Sequence, residues 1–210
     1  MTDIVIVGAG GHARVVADTI RLSGRFHVRG FIDQIDPQRK GSAFEDSLVL
    51  GGSEALADLL QQGVRHAVVA FGDNRARERV ASELTQLGFQ FPVLIHPAAV
   101  VAKSVELGDG TVVFAGAVIN PATKIGSHVI INTSATVDHD CLLGNAVHIG
   151  PGAHVAGGVS VDDRALVAVG AAVKPGVHIG RDATVGVGAA VISDVEAGSV
   201  VAGVPARPAS

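Results

Sequence analysis

The stretch INTSATVDHDCLLGNAVHIG (Ile131–Gly150) carries an aliphatic residue at every sixth position: Ile131, Val137, Leu143 and Ile149. Followed in both directions, the period holds without a break. It runs Ile95, Val101, Leu107, Val113, Ile119, Ile125 up to Ile131, and Val155, Val161, Val167, Val173, Ile179, Val185, Val191 beyond Ile149. Those are seventeen consecutive positions occupied by Ile, Leu or Val, which make up only about a third of the region. Four residues after each one stands Ala, Val, Thr or Cys. A period of six fits neither an α-helix nor a long strand. It fits a solenoid in which each hexad is a short strand plus a turn, and three hexads close one triangular coil. The large aliphatic then fills a corner of the prism and the small residue sits beside it. Gly, Asn and Asp in LGDG, IGSH, LGNA and IGRD permit the turns, some with φ above zero. Seventeen hexads predict between five and six coils with no inserted loop.

Before Ile95 the pattern is different. Ile4–Val7 is strand-like, and Ala13, Val16, Ala17 and Ile20 then make one helical stripe. Strand-like runs follow at Phe26–Ile32, Leu48–Leu50, His66–Gly72 and Phe91–Leu94. Between them, Ser53 can cap a helix carrying Leu56, Leu59 and Leu60, and Val80, Ala81, Leu84 and Leu87 mark another. Alternating strands and helices predict a small Rossmann-like parallel sheet. The expected organisation is α/β plus β-solenoid, with a Rossmann-like domain over 1–94 and the solenoid over 95–210.

Composition agrees with a narrow core. Hydrophobic residues make up 48% of the chain, aromatics only 3%, and Trp and Tyr are absent. A formal net charge of −4 offers no basic face for nucleic acid. The single cysteine, Cys141, excludes an internal disulfide and reads as filler in the small inward slot of its hexad. The start MTDIVIVGAGG lacks the features of a signal peptide. No run reaches the roughly 20 apolar residues that cross a bilayer, so a cytoplasmic protein without membrane partners is expected.

Gly8, Gly10 and Ala13 satisfy G-x-G-x-x-G/A, and Asp33 follows Ala13 by 20 residues. That fingerprint belongs to dinucleotide enzymes, yet the solenoid takes over where a second mononucleotide half would be needed. Half a Rossmann sheet suffices for a nucleoside diphosphate, its pyrophosphate held by backbone N–H groups of Gly8–Ala13. Asp33 can accept from a base or ribose, and Gly72, Asp73 and Asn74 end another strand at the same crevice. Arg14, Arg75, Arg77 and Arg79 lie near these loops and could meet phosphate.

Together, GAGGHARVV at the front, the hexads, INTSATVDHDCLLG in the middle and AGVPAR (Ala202–Arg207) at the end are specific. The chain resembles, over almost its whole length, the hexapeptide-repeat nucleotide-sugar N-acetyltransferases of bacteria, with sialic acid O-acetyltransferases as near relatives. The resemblance implies a left-handed β-helix and a homotrimer with acetyl-CoA in a groove between neighbouring subunits. It also implies a UDP- or GDP-linked 4-amino-4,6-dideoxy sugar as acceptor.

His139 is the expected general base, because a neutral imidazole can take the amine proton as the new bond forms. Asp140 could accept from the other ring nitrogen and fix the tautomer. The family's catalytic His with its following acid falls on this pair. The resemblance also places Asn132 and His12 beside the sugar and His148 against the acetyl group or cofactor. It puts Gly157, Gly158, Gly170 and Gly188 along the pantetheine arm, with Lys174 and Pro175 near a CoA phosphate. His96 reads as a junction residue; His128, His154 and His178 read as surface turn residues. γ-Class carbonic anhydrases use a similar solenoid with three His ligands. Here the five-residue His spacing is missing and His148 and His154 fall on different faces, so no metal is expected. A sugar O-acetyltransferase is the nearest alternative, and a non-catalytic assembly solenoid is the remaining one.

Overall fold

The computed structural model describes residues 1–209. The chain divides into two compact units, Met1–Pro97 and Ala98–Ser210.

The first unit is a five-stranded sheet with helices. Its strands are β1 (Thr2–Val7), β2 (Phe26–Ile32), β3 (Ala43–Phe44), β4 (Ser47–Gly51) and β5 (His66–Val69), in the order β3-β4-β2-β1-β5. All neighbours pair in parallel except β3 and β4, which form an antiparallel hairpin at the edge. Helix α1 (Gly11–Ser23) buries the expected stripe of Ala13, Val16, Ala17 and Ile20. Helices α2 (Ala55–Gln61) and α3 (Asn74–Leu87) complete the unit. Ser53 does not cap α2, whose N-cap is Glu54 without a side-chain bond. The Ser53 hydroxyl accepts from Gln34 instead. Phe91–Leu94 likewise contributes only Leu94–Ile95 as a strand. Strand order reverses at β1, which lies between β2 and β5, so a crevice opens beyond the carboxyl ends of these strands.

The second unit is the β-solenoid, consistent with a left-handed β-helix. Face 1 stacks six two-residue strands from Val100–Val101 to Ala190–Val191, and face 2 stacks five from Glu106–Leu107 to His178–Ile179. Face 3 runs from Val112–Val113 through Thr184–Val185 to Val200–Ala202, where Arg207–Pro208 pairs antiparallel. Partners within a face are 18 residues apart, as Thr136 and His154 are, which is one coil. The hexad aliphatics and the small residues four positions on are nearly all buried from Thr111 to Val195. Each buried aliphatic rung contributes about 1.5–3 kcal/mol of transfer free energy, and only stacking removes it from water.

The turns work differently from the sequence reading. Left-handed backbone falls on the fourth hexad position alone, and there non-glycine residues also occur: Ala122, His128, Ser134, Asp140, Ala146, Arg164 and Asp182. This conformation costs an L-residue about 1–2 kcal/mol. It is offset by coil stacking, since these N–H groups donate to the preceding coil, as from Ser134 to the Ala115 carbonyl at 2.9 Å. Glycine at the second hexad position answers to space rather than to φ. A Cβ on Gly150 would lie 2.9 Å from the backbone of Val167, Ala168 and Val169. Gly150→Ala must therefore push two coils apart, and we expect a loss of about 1–3 kcal/mol in urea unfolding; an unchanged midpoint would contradict this packing.

Candidate active site

In the first unit, Gly8 ends β1 at φ +126° and donates to the Ile32 carbonyl. A Cβ there would meet the Ala70 carbonyl at 3.0 Å, so the chain turns tightly between β2 and β5. Around Gly10 and Gly11 a Cβ would meet nothing within 4 Å. Gly10 caps α1 with no side-chain bond, so the cap itself does not occupy the N–H groups of the first turn, the kind of donor that suits an anion.

The other residues expected here are partly committed to the fold. Asp33 is buried, and its Oδ1 accepts from the N–H groups of Ile35 and Asp36. Its Oδ2 receives Arg39 at 2.7 Å, and the same Arg39 nitrogen reaches the Ala9 carbonyl at 3.1 Å. Arg39 thus ties the Asp33 loop to the glycine turn, a link that the sequence did not suggest because nothing in its spacing marks that arginine. Asp73 caps α3 through Ala76, and Asn74 is buried, accepting from Arg77. Arg77 is 2% exposed and donates to the Phe71 and Gly72 carbonyls, and burial pushes its pKa down to about 10. It braces the loop from inside. Arg14 pairs with Glu45 and Arg79 with Glu83, both on the surface. His12 is pushed down to about 4 by burial and by Arg77, so it is a neutral imidazole at physiological pH.

In the second unit, His139 and Asp140 form the turn between faces 1 and 2. The His139 Nδ1 lies 2.7 Å from Asp140 Oδ2, and the ring is 60% exposed. With Nδ1–H donated to the carboxylate, Nε2 is left as the proton acceptor. The hydrogen bond that the ring donates to Asp140, and next the charge of Asp138, raise the imidazole pKa. Asp138 and Asn120 were not anticipated. Asp138 Oδ1 accepts from the His139 N–H at 2.8 Å and from Asn120 Nδ2 at 2.7 Å. Their 18-residue separation was legible, since it stacks them one coil apart. From the following coil Gly158 donates to the His139 carbonyl. Gly157 lies against the ring, where a Cβ would come within 2.7 Å of Cε1 and Nε2.

The remaining expected residues sort by edge. Gly157, Gly158, Lys174 and Pro175 share the edge of His139. Asn132, Gly170 and Gly188 lie on the next edge, between faces 3 and 1. Asn132 Nδ2 is 3.1 Å from Nε2 of His148, which stands on face 3. One chain therefore builds two clusters at opposite edges of face 1. At Gly158, Gly170 and Gly188 a Cβ would meet nothing, which leaves room for an elongated ligand along either column. Between them lies a groove of about 510 Å³ on face 1, lined by Asn120, Thr136, Asp138 and His154 among others. His154 and His178 are strand residues of faces 1 and 2, not turn residues, because the position before each aliphatic points outward. They pair with Thr136 and Asp162, and His128 does occupy a turn. Cys141 is fully buried. Among the described residues no group of three His, Cys, Asp or Glu side chains is placed to hold a metal ion.

Comparison with known proteins adds the following. Residues 3–84 match the family described as PglD N-terminal domain. UDP-N-acetylbacillosamine N-acetyltransferase of Bacillus subtilis (strain 168) is 37% identical over 119 residues. That alignment covers 55% of this chain and 52% of that protein, about half the length of each. PerB from Caulobacter crescentus, solved with CoA and GDP-perosamine, is 44% identical with a TM-score of 0.95. The match covers 100% of this chain and 98% of that one. The acetyltransferase domain of PglB from Neisseria gonorrhoeae FA1090, solved with acetyl coenzyme A, is 37% identical with a TM-score of 0.91. Here 99% of this chain and 98% of that one are covered.

Proposed function

Because the chain belongs to the hexapeptide-repeat N-acetyltransferases that act on nucleotide-linked amino sugars, we propose that it acetylates the amino group of a UDP- or GDP-linked 4-amino-4,6-dideoxy sugar with acetyl-CoA. The observation that carries this reading is the His139–Asp140 pair, exposed at an edge of the solenoid with Nδ1 held by the carboxylate, which leaves Nε2 as the proton acceptor. Acetyl-CoA supplies an acyl carbon activated as a thioester. His139 Nε2 takes the proton from the attacking amine as the C–N bond forms. It returns that proton to the sulfur as the C–S bond breaks. Asp140 holds Nδ1–H and stabilises the transient imidazolium. Backbone N–H groups are the proposed donors to the developing oxyanion.

The domain over 1–94 grips the nucleotide, with Gly8, Gly10, Gly11 and Ala13 around the pyrophosphate and His12 beside the sugar. Asp33 orients base or ribose, and the Gly72–Asn74 loop closes the other side. The domain over 95–210 carries the chemistry. A homotrimer is the proposed assembly, and the two clusters support it: Asn132 and His148 stand at one edge of face 1 and His139 at the other. A partner copy brings one copy's His148, Gly170 and Gly188 to another's His139, Gly157, Gly158, Lys174 and Pro175. No helix of the described residues is long and apolar enough to cross a membrane, and the cytoplasm, where acetyl-CoA and sugar nucleotides are made, is the proposed location.

Thiol release assayed over a panel of UDP- and GDP-amino sugars tests the reaction. The matching hydroxy sugars should be inert; turnover of hydroxyl acceptors alone would mean O-acetylation, and turnover of none would remove the enzymatic reading. The pH dependence has a definite sign. His139 works only when neutral and its pKa is raised. The acid limb of kcat should therefore lie above the ordinary histidine value of about 6.5, with activity lost below it. Asp140→Asn should lower both the limb and kcat. A limb at or below the ordinary value would mean that the Asp140 bond is not maintained in solution.

A further inference from the structure

We propose that Asp138, braced by Asn120 from the preceding coil, is a positioning residue for His139, fixing the backbone from which the imidazole projects and setting the charge beside it. The inference rests on His139 being the base. Asp140 holds the ring at its far end, but Asp140 is itself a surface residue in left-handed backbone, with its side chain 67% exposed. Ring contact alone would leave this turn free to shift. Asp138 removes that freedom. Its Oδ1 takes the His139 N–H at 2.8 Å, and Asn120 Nδ2 at 2.7 Å anchors the same oxygen to the coil before. The Asp138 carbonyl in turn accepts from Thr123 Oγ1 at 2.7 Å. The turn is thus pinned through backbone and side chain from one coil and through Gly157 and Gly158 from the next.

The charge is as well defined as the geometry. Asn120 and the His139 N–H, both donors to the ionised form, hold the Asp138 carboxyl below the usual range. It therefore stays anionic wherever the enzyme works. The groups around the imidazole are Asp138 and Asp140 on its own turn, neutral Asn120 and Pro121 before it, and Ala156 to Gly158 after it. The thiol of Cys141 is buried and pushed up by burial, so it stays neutral. His154 lines the same groove as Asp138 and bonds Thr136. Two carboxylates flank one imidazole, and only the one at 140 touches the ring.

Both hydrogen bonds converge on Oδ1, so geometry and charge can be separated. Asp138→Asn keeps an oxygen for both donors and loses only the charge. The His139 titration followed by NMR should move to lower pH in the full-length protein, and the acid limb of kcat should follow. Above that limb kcat should stay within about threefold of the parent, because the ring is still in place. Asp138→Ala also loses the acceptor, and kcat should fall about 10²-fold while KM for both substrates holds within about twofold. An unmoved His139 titration in Asp138→Asn overturns the proposal. So does a raised KM for the sugar with kcat kept in Asp138→Ala, which would make Asp138 a substrate contact. If the alanine variant does not fold, the titration of the asparagine variant decides. Turnover retained by His139→Ala would remove the base assignment, whereas the titration reads the Asp138 effect without any turnover.

Discussion

His139→Ala should lower kcat by about 10²–10⁴-fold while CoA still binds and the protein unfolds at the parent midpoint. The ring is exposed at a turn, and its backbone bonds, with Asp138, Gly158 and Asp140 N–H to the Pro121 carbonyl, do not involve the imidazole. Truncation therefore leaves the coil intact and removes the proton acceptor alone. Calorimetric CoA titration and thiol-release kinetics on the same preparation separate the two effects. Parental kcat in the alanine variant would mean that the amine loses its proton elsewhere, and the proposed chemistry would fall with it.

Gly157→Ala should be nearly as damaging, from a residue that takes no part in proton transfer. Its Cβ would stand 2.7 Å from Cε1 and Nε2 and 3.2 Å from Nδ1 of His139, well inside van der Waals contact. The ring is the far end of a solvent-exposed side chain, so it swings away and the backbone stays put. Gly157 also lacks left-handed backbone, and alanine is conformationally acceptable there. Stability should change by less than about 0.5 kcal/mol, as for a surface substitution, while kcat drops about 10²-fold because the base is displaced by an ångström or more. The resemblance assigns Gly157 to the pantetheine arm. If that contact dominates, KM for acetyl-CoA rises and kcat holds, so steady-state kinetics distinguish the two roles. Gly150→Ala makes a useful contrast, since there the Cβ meets backbone and the cost falls on stability.

The contrast shows how far the hexad could be read. Ile125, Ile131, Val137 and Leu143 fall where the period puts them, because burial of one aliphatic per hexad is a one-dimensional signal. Cys141 was legible for the same reason. The glycines were not. Gly150 and Gly157 occupy the second and third hexad positions, and in sequence both read as turn formers. What forbids a side chain is a neighbour 18 residues away: backbone in one case, an imidazole in the other. Arg77 misled in the opposite sense. It sits by the expected nucleotide loop, yet it is buried and spends its donors on Phe71, Gly72 and Asn74.

The order of residues along this chain was enough to determine a stacked column of short strands behind a β-α-β unit, and, with the family resemblance, to single out His139-Asp140 as the proposed reactive pair. Periodicity and adjacency survive in one dimension. Only the folded molecule decided what surrounds that pair. The anchoring of Asp138 by Asn120, the bare Gly157 under the ring, and the separation of Asn132 and His148 onto another edge all depend on distances across coils. Contacts between successive coils link residues remote in sequence, and a string of letters does not record which of their atoms meet.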